Sequence, residues 1–257
     1  MGVMHKQYFK NYNSLINLES DIYFHKYIDK YYNLIFLIWD KKLALRTKKI
    51  CNIKSPIKIL SPVLNINEKQ NNKITIKTNK KIRLLFIGRN EKIKGLNYLL
   101  AAINNRRFAK YNFQADIITN QKYYLDNKKI KFHNDVNENF KNLLLKRADI
   151  FILPTLADTF GYSLLEAIAY KCAIITTDIY PVNQFCVKNK NGFLIRPKKT
   201  NDIIKYLEIL MKNPKKIEKF KENSFQLYKN KFSHKIFKKK FKNIINQINN
   251  NNILTDV

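Results

Sequence analysis

The chain has 257 residues, 45% of them hydrophobic, and a formal charge of +30 from 49 basic against 19 acidic side chains. That is enough apolar material for one large core, or for one full domain and a smaller piece, and it excludes a disordered tail. The apolar run LIFLIW at 34–39 is too short to cross a bilayer, and the start MGVMHKQYFK lacks both a signal-peptide core and the hydroxyl of a myristoylation site, so a cytoplasmic protein is expected.

In chain order, residues 1–64 hold a strand-like run at 33–39, a basic helix-like stretch at 40–50 and a second strand, IKIL, at 57–60. The Asn/Lys-rich segment 65–80 reads as a linker. From about residue 82 short apolar runs alternate with helical periodicity. IRLLFIG (82–88) is followed by a helix with Leu96, Leu99, Leu100 and Ile103 on one face, then by FQADIIT (113–119). IKFHNDV (130–136) leads into a helix through Phe140, Leu143 and Leu144, and DIFILP (149–154) into one starting near Gly161. AIITTD (173–178), a short helix, GFLIRP (192–197) and further helices complete the series. Unbroken apolar strands separated by helices imply a parallel sheet covered on both faces. The expected fold is therefore α/β, a doubly wound, Rossmann-like sheet over residues 81–235, with a partial α/β piece before it and a C-terminal helix and frayed tail at 236–257.

Composition colours every motif. Lysine supplies most of the positive charge while Asn, Ile, Tyr and Phe crowd out Gly, Ala and Pro, the residue set encoded by A/T-rich codons. Such lysines scatter along solvated faces, and no basic run is interleaved with a stacking-aromatic module, so nucleic acid is not an expected partner. Contact with an anionic membrane surface stays open, since it needs only clustered positive charge. Cys51, Cys172 and Cys186 form no CxxC pair and read as buried thiols, neither a disulfide framework nor a metal site.

Scarcity makes glycine informative. Of only five, Gly88, Gly95, Gly161 and Gly192 fall beside strand ends or helix starts, where a missing Cβ permits positive φ or close approach of a ligand to the backbone. In doubly wound sheets ligands sit beyond the carboxyl ends of the strands, facing helix N-termini. Two stretches lie at such places. In FIGRNEKIKGLNYLL, Gly88 ends a strand, Arg89 and Lys94 lie in the loop and Gly95 opens a helix, an arrangement suited to clamping a diphosphate. In LADTFGYSLLEAIA, Asp158 and Glu166 are eight positions apart around Gly161. One reading is a helix cap followed by a solvated glutamate. The other is one ligand held at two points, a phosphate or sugar at the helix start and a ribose diol at Glu166, about 7 Å along the helix. Leu164, Leu165 and Ile168 take the core face.

GRxxxxKG, the carboxylate–seven residues–glutamate set around FGYSLLEAIA, AIITTD and KNGFLI, in that order over roughly 82–235, resemble the C-terminal, donor-binding domain of GT-B glycosyltransferases, specifically retaining family 4. The resemblance implies that Arg89 and Lys94 bind the diphosphate of a nucleotide sugar, that Glu166 binds the ribose, and that Asp158 contacts the transferred sugar. It places Gly88, Phe160, Gly161 and Tyr162 at the donor, with Asp158, Arg89 and Lys94 catalytic. It implies no metal and no other cofactor, in keeping with the absence of a DxD triplet. The implied activity is transfer of a sugar from a nucleoside-diphosphate sugar to a saccharide or lipid-linked acceptor in polysaccharide biosynthesis. The chain departs from the family pattern in three ways. Asp158 stands where a glutamate is usual, TTDIYPVNQF lacks the family's glycines, and only about 64 residues precede the linker where a full acceptor-side domain is usual, with His5 and His25 reading as surface residues. A non-catalytic nucleotide-sugar-binding module, or the donor half of a two-chain transferase, is the alternative. With the front part short, self-association, a partner chain or peripheral contact with the inner face of a membrane is expected to cover the apolar surface of residues 1–64 and the last helix.

Overall fold

The structure, a computed structural model, describes residues 29, 36–38, 41–64, 81–89, 91–121, 123 and 125–249. The linker expected at 65–80, Gly2, His5, His25 and the last residues of the tail lie outside the described residues. The chain divides into two compact units, one formed by residues 1–65 with 231–257 and the other by 66–230.

In the first unit, β1 (Phe36–Ile38) pairs in parallel with β2 (Ile57–Ile59), and α1 (Lys41–Cys51) joins them. Leu43, Ala44 and Cys51 of α1 close over Ile38, Ile53 and Ile57, a small core of the strand–helix–strand kind that the sequence suggested. The same unit contains α8 (His234–Asn249), whose Phe237 and Phe241 rings stack one turn apart.

The second unit is a six-stranded, wholly parallel sheet made of β3 (Ile82–Ile87), β4 (Phe113–Ile118), β5 (Ile130–His133), β6 (Ile150–Leu153), β7 (Ala173–Thr177) and β8 (Gly192–Ile195). Its order, β5-β4-β3-β6-β7-β8, reverses direction between β3 and β6. Strands β4, β6 and β7 are buried from end to end because helices cover both faces, and that is why they read as largely apolar runs. Right-handed crossovers then set the sides. The helices after β5 and β6, α4 (Glu138–Arg147) and α5 (Tyr162–Ala169), fall on one face. The helix after β3, α3 (Leu96–Ile103), falls on the other and packs against α6 (Thr200–Met211).

Two helical faces are rotated from the expected ones. In α3 the buried stripe is Leu96, Leu99, Ala102 and Ile103, with Leu100 only half-buried. In α4 it is Leu144 and Leu145 that meet the sheet, whereas Phe140 and Leu143 stay 37% and 38% exposed. The cause in α4 lies at its start, where Asn137 caps the Phe140 N–H and the Phe140 ring sets edge-on against His133 beyond the sheet. All three described cysteines are buried thiols outside any disulfide, and burial, helped by the Asp178 charge, pushes the Cys186 thiol up to about 12.

The amino-terminal end of the sheet is tied by buried polar groups. The Lys221 ammonium of α7 (Pro214–Lys231) donates to Asp149 at 3.2 Å and to Glu218 at 2.7 Å, and Asp149 also accepts the Arg83 N–H at 3.0 Å. Lys221 and Asp149 are 4% and 8% exposed at their side chains, so removing the cation strands a carboxylate in a dry site. Lys221→Met is expected to cost about 3–5 kcal/mol of stability, read as a lower urea midpoint at unchanged slope.

Candidate functional site

Strands β3 and β6 are neighbours whose chains leave the sheet in opposite directions, and their carboxyl-end loops are forced together at that point. The first loop runs from Gly88 through the single turn α2 (Glu91–Lys94) to Gly95, the second from Pro154 to Gly161. Backbone and hydroxyl bonds lock one onto the other. Leu156 N–H donates to the Ile93 carbonyl at 2.7 Å, and the Thr155 hydroxyl lies 3.1 Å from that oxygen and 2.7 Å from the Ala157 carbonyl. From beneath, the Thr177 hydroxyl of β7 holds the Thr155 carbonyl at 2.5 Å.

Glycine makes this approach possible. Gly95, at φ +76°, begins α3, and a Cβ there would collide with the Pro154 carbonyl oxygen. Gly161, at φ +96°, begins α5, where a Cβ would press on Phe185 at 3.0 Å and Val182 at 3.3 Å. The two helix starts that were singled out in the sequence therefore share the same end of the sheet.

The side chains meet across the same seam. Lys94 Nζ donates to Asp158 Oδ2 at 2.6 Å, while Asp158 Oδ1 accepts the N–H groups of Phe160 at 3.2 Å and Gly161 at 3.0 Å. Asp158 thus closes the turn that leads into α5, whose N-cap is Gly161 rather than the aspartate, and is also the ion-pair partner of Lys94. Arg89 is exposed at the end of β3 and pairs with no carboxylate among the described residues. The Phe160 side chain is 1% exposed, packed edge-on to Phe185, so what it offers a ligand is its backbone; Tyr162 is 54% exposed. Gly88 is buried against Phe86 and the stem of Lys94.

Glu166 sits one turn into α5, beside α4. Its Oε1 accepts from Lys141 Nζ at 2.5 Å, and the same ammonium reaches Glu138 at 3.0 Å. Burial pushes the Glu166 carboxyl above the ordinary carboxylate range, with Lys141 pulling the other way and the Glu138 charge adding a smaller push. Tyr170, a turn further on, is raised by its own burial and by the Glu166 charge. Sequence reasoning missed Lys141 and Glu138. No local signal marks one lysine among so many, and the pairing depends on two helices that lie side by side only in the folded sheet. Among the described residues no group of three or more His, Cys, Asp or Glu side chains is placed to hold a metal ion.

The model of the family "Glycosyl transferases group 1" matches residues 67–227 of the chain. The chain belongs to that family. The glycosyl transferase resembles sucrose-phosphate synthase from Thermosynechococcus elongatus, with a TM-score of 0.74 at 12% identity over 94% of this chain and 65% of that one. It also resembles Anabaena HepE, solved with UDP and glucose, with a TM-score of 0.71 at 11% identity over 94% of this chain and 69% of that one. At these identities the likeness is one of fold, that of the GT-B transferases. A curated relative, an uncharacterised 41.2 kDa protein from the cps region of Klebsiella pneumoniae, is 22% identical over 130 residues, 50% of this chain and 36% of that protein. The glycosyl transferase spans about a third of that relative's length and 65% of the sucrose-phosphate synthase chain.

Gly95→Ala is expected to cost about 2–4 kcal/mol, since it adds left-handed strain to a collision with immobile backbone. Gly88→Ala should cost less, because its backbone is not left-handed and its neighbours are side-chain atoms, the Phe86 ring tip at 2.8 Å and Lys94 Cβ at 2.9 Å, rather than a carbonyl oxygen. Chemical unfolding of the two variants side by side checks the order.

Proposed function

We propose that the chain transfers a sugar from a nucleoside-diphosphate sugar to a saccharide or lipid-linked acceptor in polysaccharide biosynthesis, with retention and in the manner of family 4. The observation that carries this reading is the union of Lys94, Asp158 and two glycine-started helices at the point where the strand order reverses. On this reading Arg89 and Lys94 clamp the diphosphate, and the starts of α3 and α5 add backbone N–H dipoles as charge develops on the leaving group. A diphosphate takes Lys94 from Asp158, which frees the Asp158 carboxylate to meet the transferred sugar. Glu166 takes the ribose, and the charge compensation comes from these side chains without a metal ion. The cps-region relative and the UDP and glucose bound to HepE support the substrate class.

A second reading, in which the chain binds the donor and a separate polypeptide supplies the acceptor side, is favoured by the likeness in fold to a chain of the GtfA/B complex. Labelled UDP- and GDP-sugars, offered to the purified chain with a panel of saccharide and lipid-linked acceptors, separate the two. Turnover by the chain alone supports the first, and binding without turnover the second.

We also place the first unit against an anionic membrane surface. Helix α1 carries Lys41, Lys42, Arg46 and Lys49 beside the exposed Leu45 and Ile50, and α8 carries Lys235, Lys238 and Lys242 beside the exposed Phe241 and Ile245; neither helix contains a carboxylate. Exposed apolar residues bordered by lysine suit the headgroup boundary of an anionic bilayer. No helix among the described residues is long and apolar enough to cross a membrane.

Two measurements test these assignments. Arg89→Ala should weaken binding of both the nucleoside diphosphate and the intact donor by about tenfold, while leaving the nucleoside unaffected; calorimetry with all three ligands reads this, and equal losses would mark a structural arginine. The chain should sediment with phosphatidylserine-containing vesicles, lose that binding in Phe241→Asp/Ile245→Asp, and ignore pure phosphatidylcholine.

A further inference from the structure

Glu166 has one carboxylate oxygen occupied and one available. Oε1 accepts from Lys141 at 2.5 Å, and among the described residues none donates to Oε2. The side chain is 17% exposed, so a ligand can reach it. Lys141 is equally withdrawn at 17%, while its second partner, Glu138, is 71% exposed and largely solvated. The firm contact of the ammonium is therefore the one to Glu166. It comes from a different helix, α4, whose start is fixed by the Asn137 cap and whose far end is anchored by buried Leu144 and Leu145. A bond between two separately anchored helices fixes the rotation of the Glu166 carboxylate as well as its position.

We infer that Lys141 is a positioning residue for the donor: by holding Oε1 of Glu166 it leaves Oε2 as the single acceptor presented to the ribose diol. The inference rests on the reading of Glu166 given under Proposed function. Lys141 has a second effect, on charge. Among the described residues the titratable groups that act on Glu166 or feel its charge are Lys141, the Glu138 carboxylate and the Tyr170 phenol, and of these Lys141 is the cation. Burial and Glu138 both favour the protonated acid, and Lys141 alone opposes them. Without Lys141 the carboxyl takes up a proton closer to neutrality, and a protonated Glu166 is a weaker acceptor for the diol.

The experiment uses UDP and GDP with their 2′-deoxy counterparts, titrated by calorimetry into the wild type, Lys141→Met, Lys141→Gln, Lys141→Arg and Glu166→Gln between about pH 6 and about pH 8. Lys141→Met and Lys141→Gln should weaken the ribonucleotide by about tenfold and the 2′-deoxy ligand by less than about threefold, because only the former has the full diol to lose. The wild-type-to-variant affinity ratio should shrink as pH rises, since deprotonation restores the acceptor; using the ratio removes the titration of the phosphates themselves. Lys141→Arg should retain most of the affinity. Equal losses for ribo and deoxy ligands at all pH values would overturn the proposal, and so would unaltered binding by both neutral variants. If Glu166→Gln weakens the ribonucleotide while the Lys141 variants do not, the positioning role falls and the reading of Glu166 stands. If the wild type binds none of the four ligands, the reading of Glu166 falls and takes the positioning role with it. Lys141→Gln keeps the test decisive where Lys141→Met does not fold.

Discussion

Two strands at the centre of the sheet send their chains in opposite directions, and the contacts at the carboxyl end of the sheet follow from the crowding this causes. The loops after β3 and β6 must pass within hydrogen-bonding range, so one backbone has to press against the other's carbonyl, and only glycine permits that at position 95. Once the loops touch, Leu156 and Thr155 find partners at Ile93, and Lys94 finds Asp158. The charged pair at the mouth of the sheet is a result of the topology, placed there before any ligand arrives.

That pair also shows how a short acidic side chain can do two tasks. Asp158 uses one oxygen to gather the N–H groups at the head of α5 and the other to hold a lysine. Reaching both at once requires the carboxylate to stay close to its own backbone, which an aspartate does and a glutamate does poorly. The substitution that looks like a departure from the family pattern is matched to the loop that surrounds it.

The sheet was legible because buried parallel strands leave a signature that composition cannot blur: IRLLFI, FQADII, IFIL and AIITT each put apolar residues on both sides of the pleat. Gly95 and Gly161 were legible for the opposite reason, as rare residues kept where codon bias works against them, and both take left-handed backbone. Helix faces were harder. Phe140 and Leu143 are apolar at helical spacing, yet the helix turns Leu144 and Leu145 inward, because an asparagine cap and a histidine edge set its rotation. Lys141 was invisible, since its meaning lies in the distance to Glu166 across two helices. In a lysine-rich chain, which lysine is buried and paired is decided by tertiary structure alone.

Far from the mouth, the sheet carries one dipeptide with a known chemical weakness. Asn191 precedes Gly192, and in an open chain an asparagine followed by glycine ages by cyclising onto the next backbone nitrogen and losing its amide. Here the Asn191 amide donates to the Phe185 carbonyl at 2.9 Å and to Ser224 Oγ at 3.2 Å, its oxygen accepts the Val187 N–H at 2.7 Å, and Gly192 is already committed to β8. The residue is 1% exposed, and the side-chain carbonyl cannot swing within reach of the Gly192 nitrogen that would attack it and expel ammonia. The network that seats the last strand therefore also acts as a preservative, and the molecule's shelf life at this position is set by how often β8 lets go.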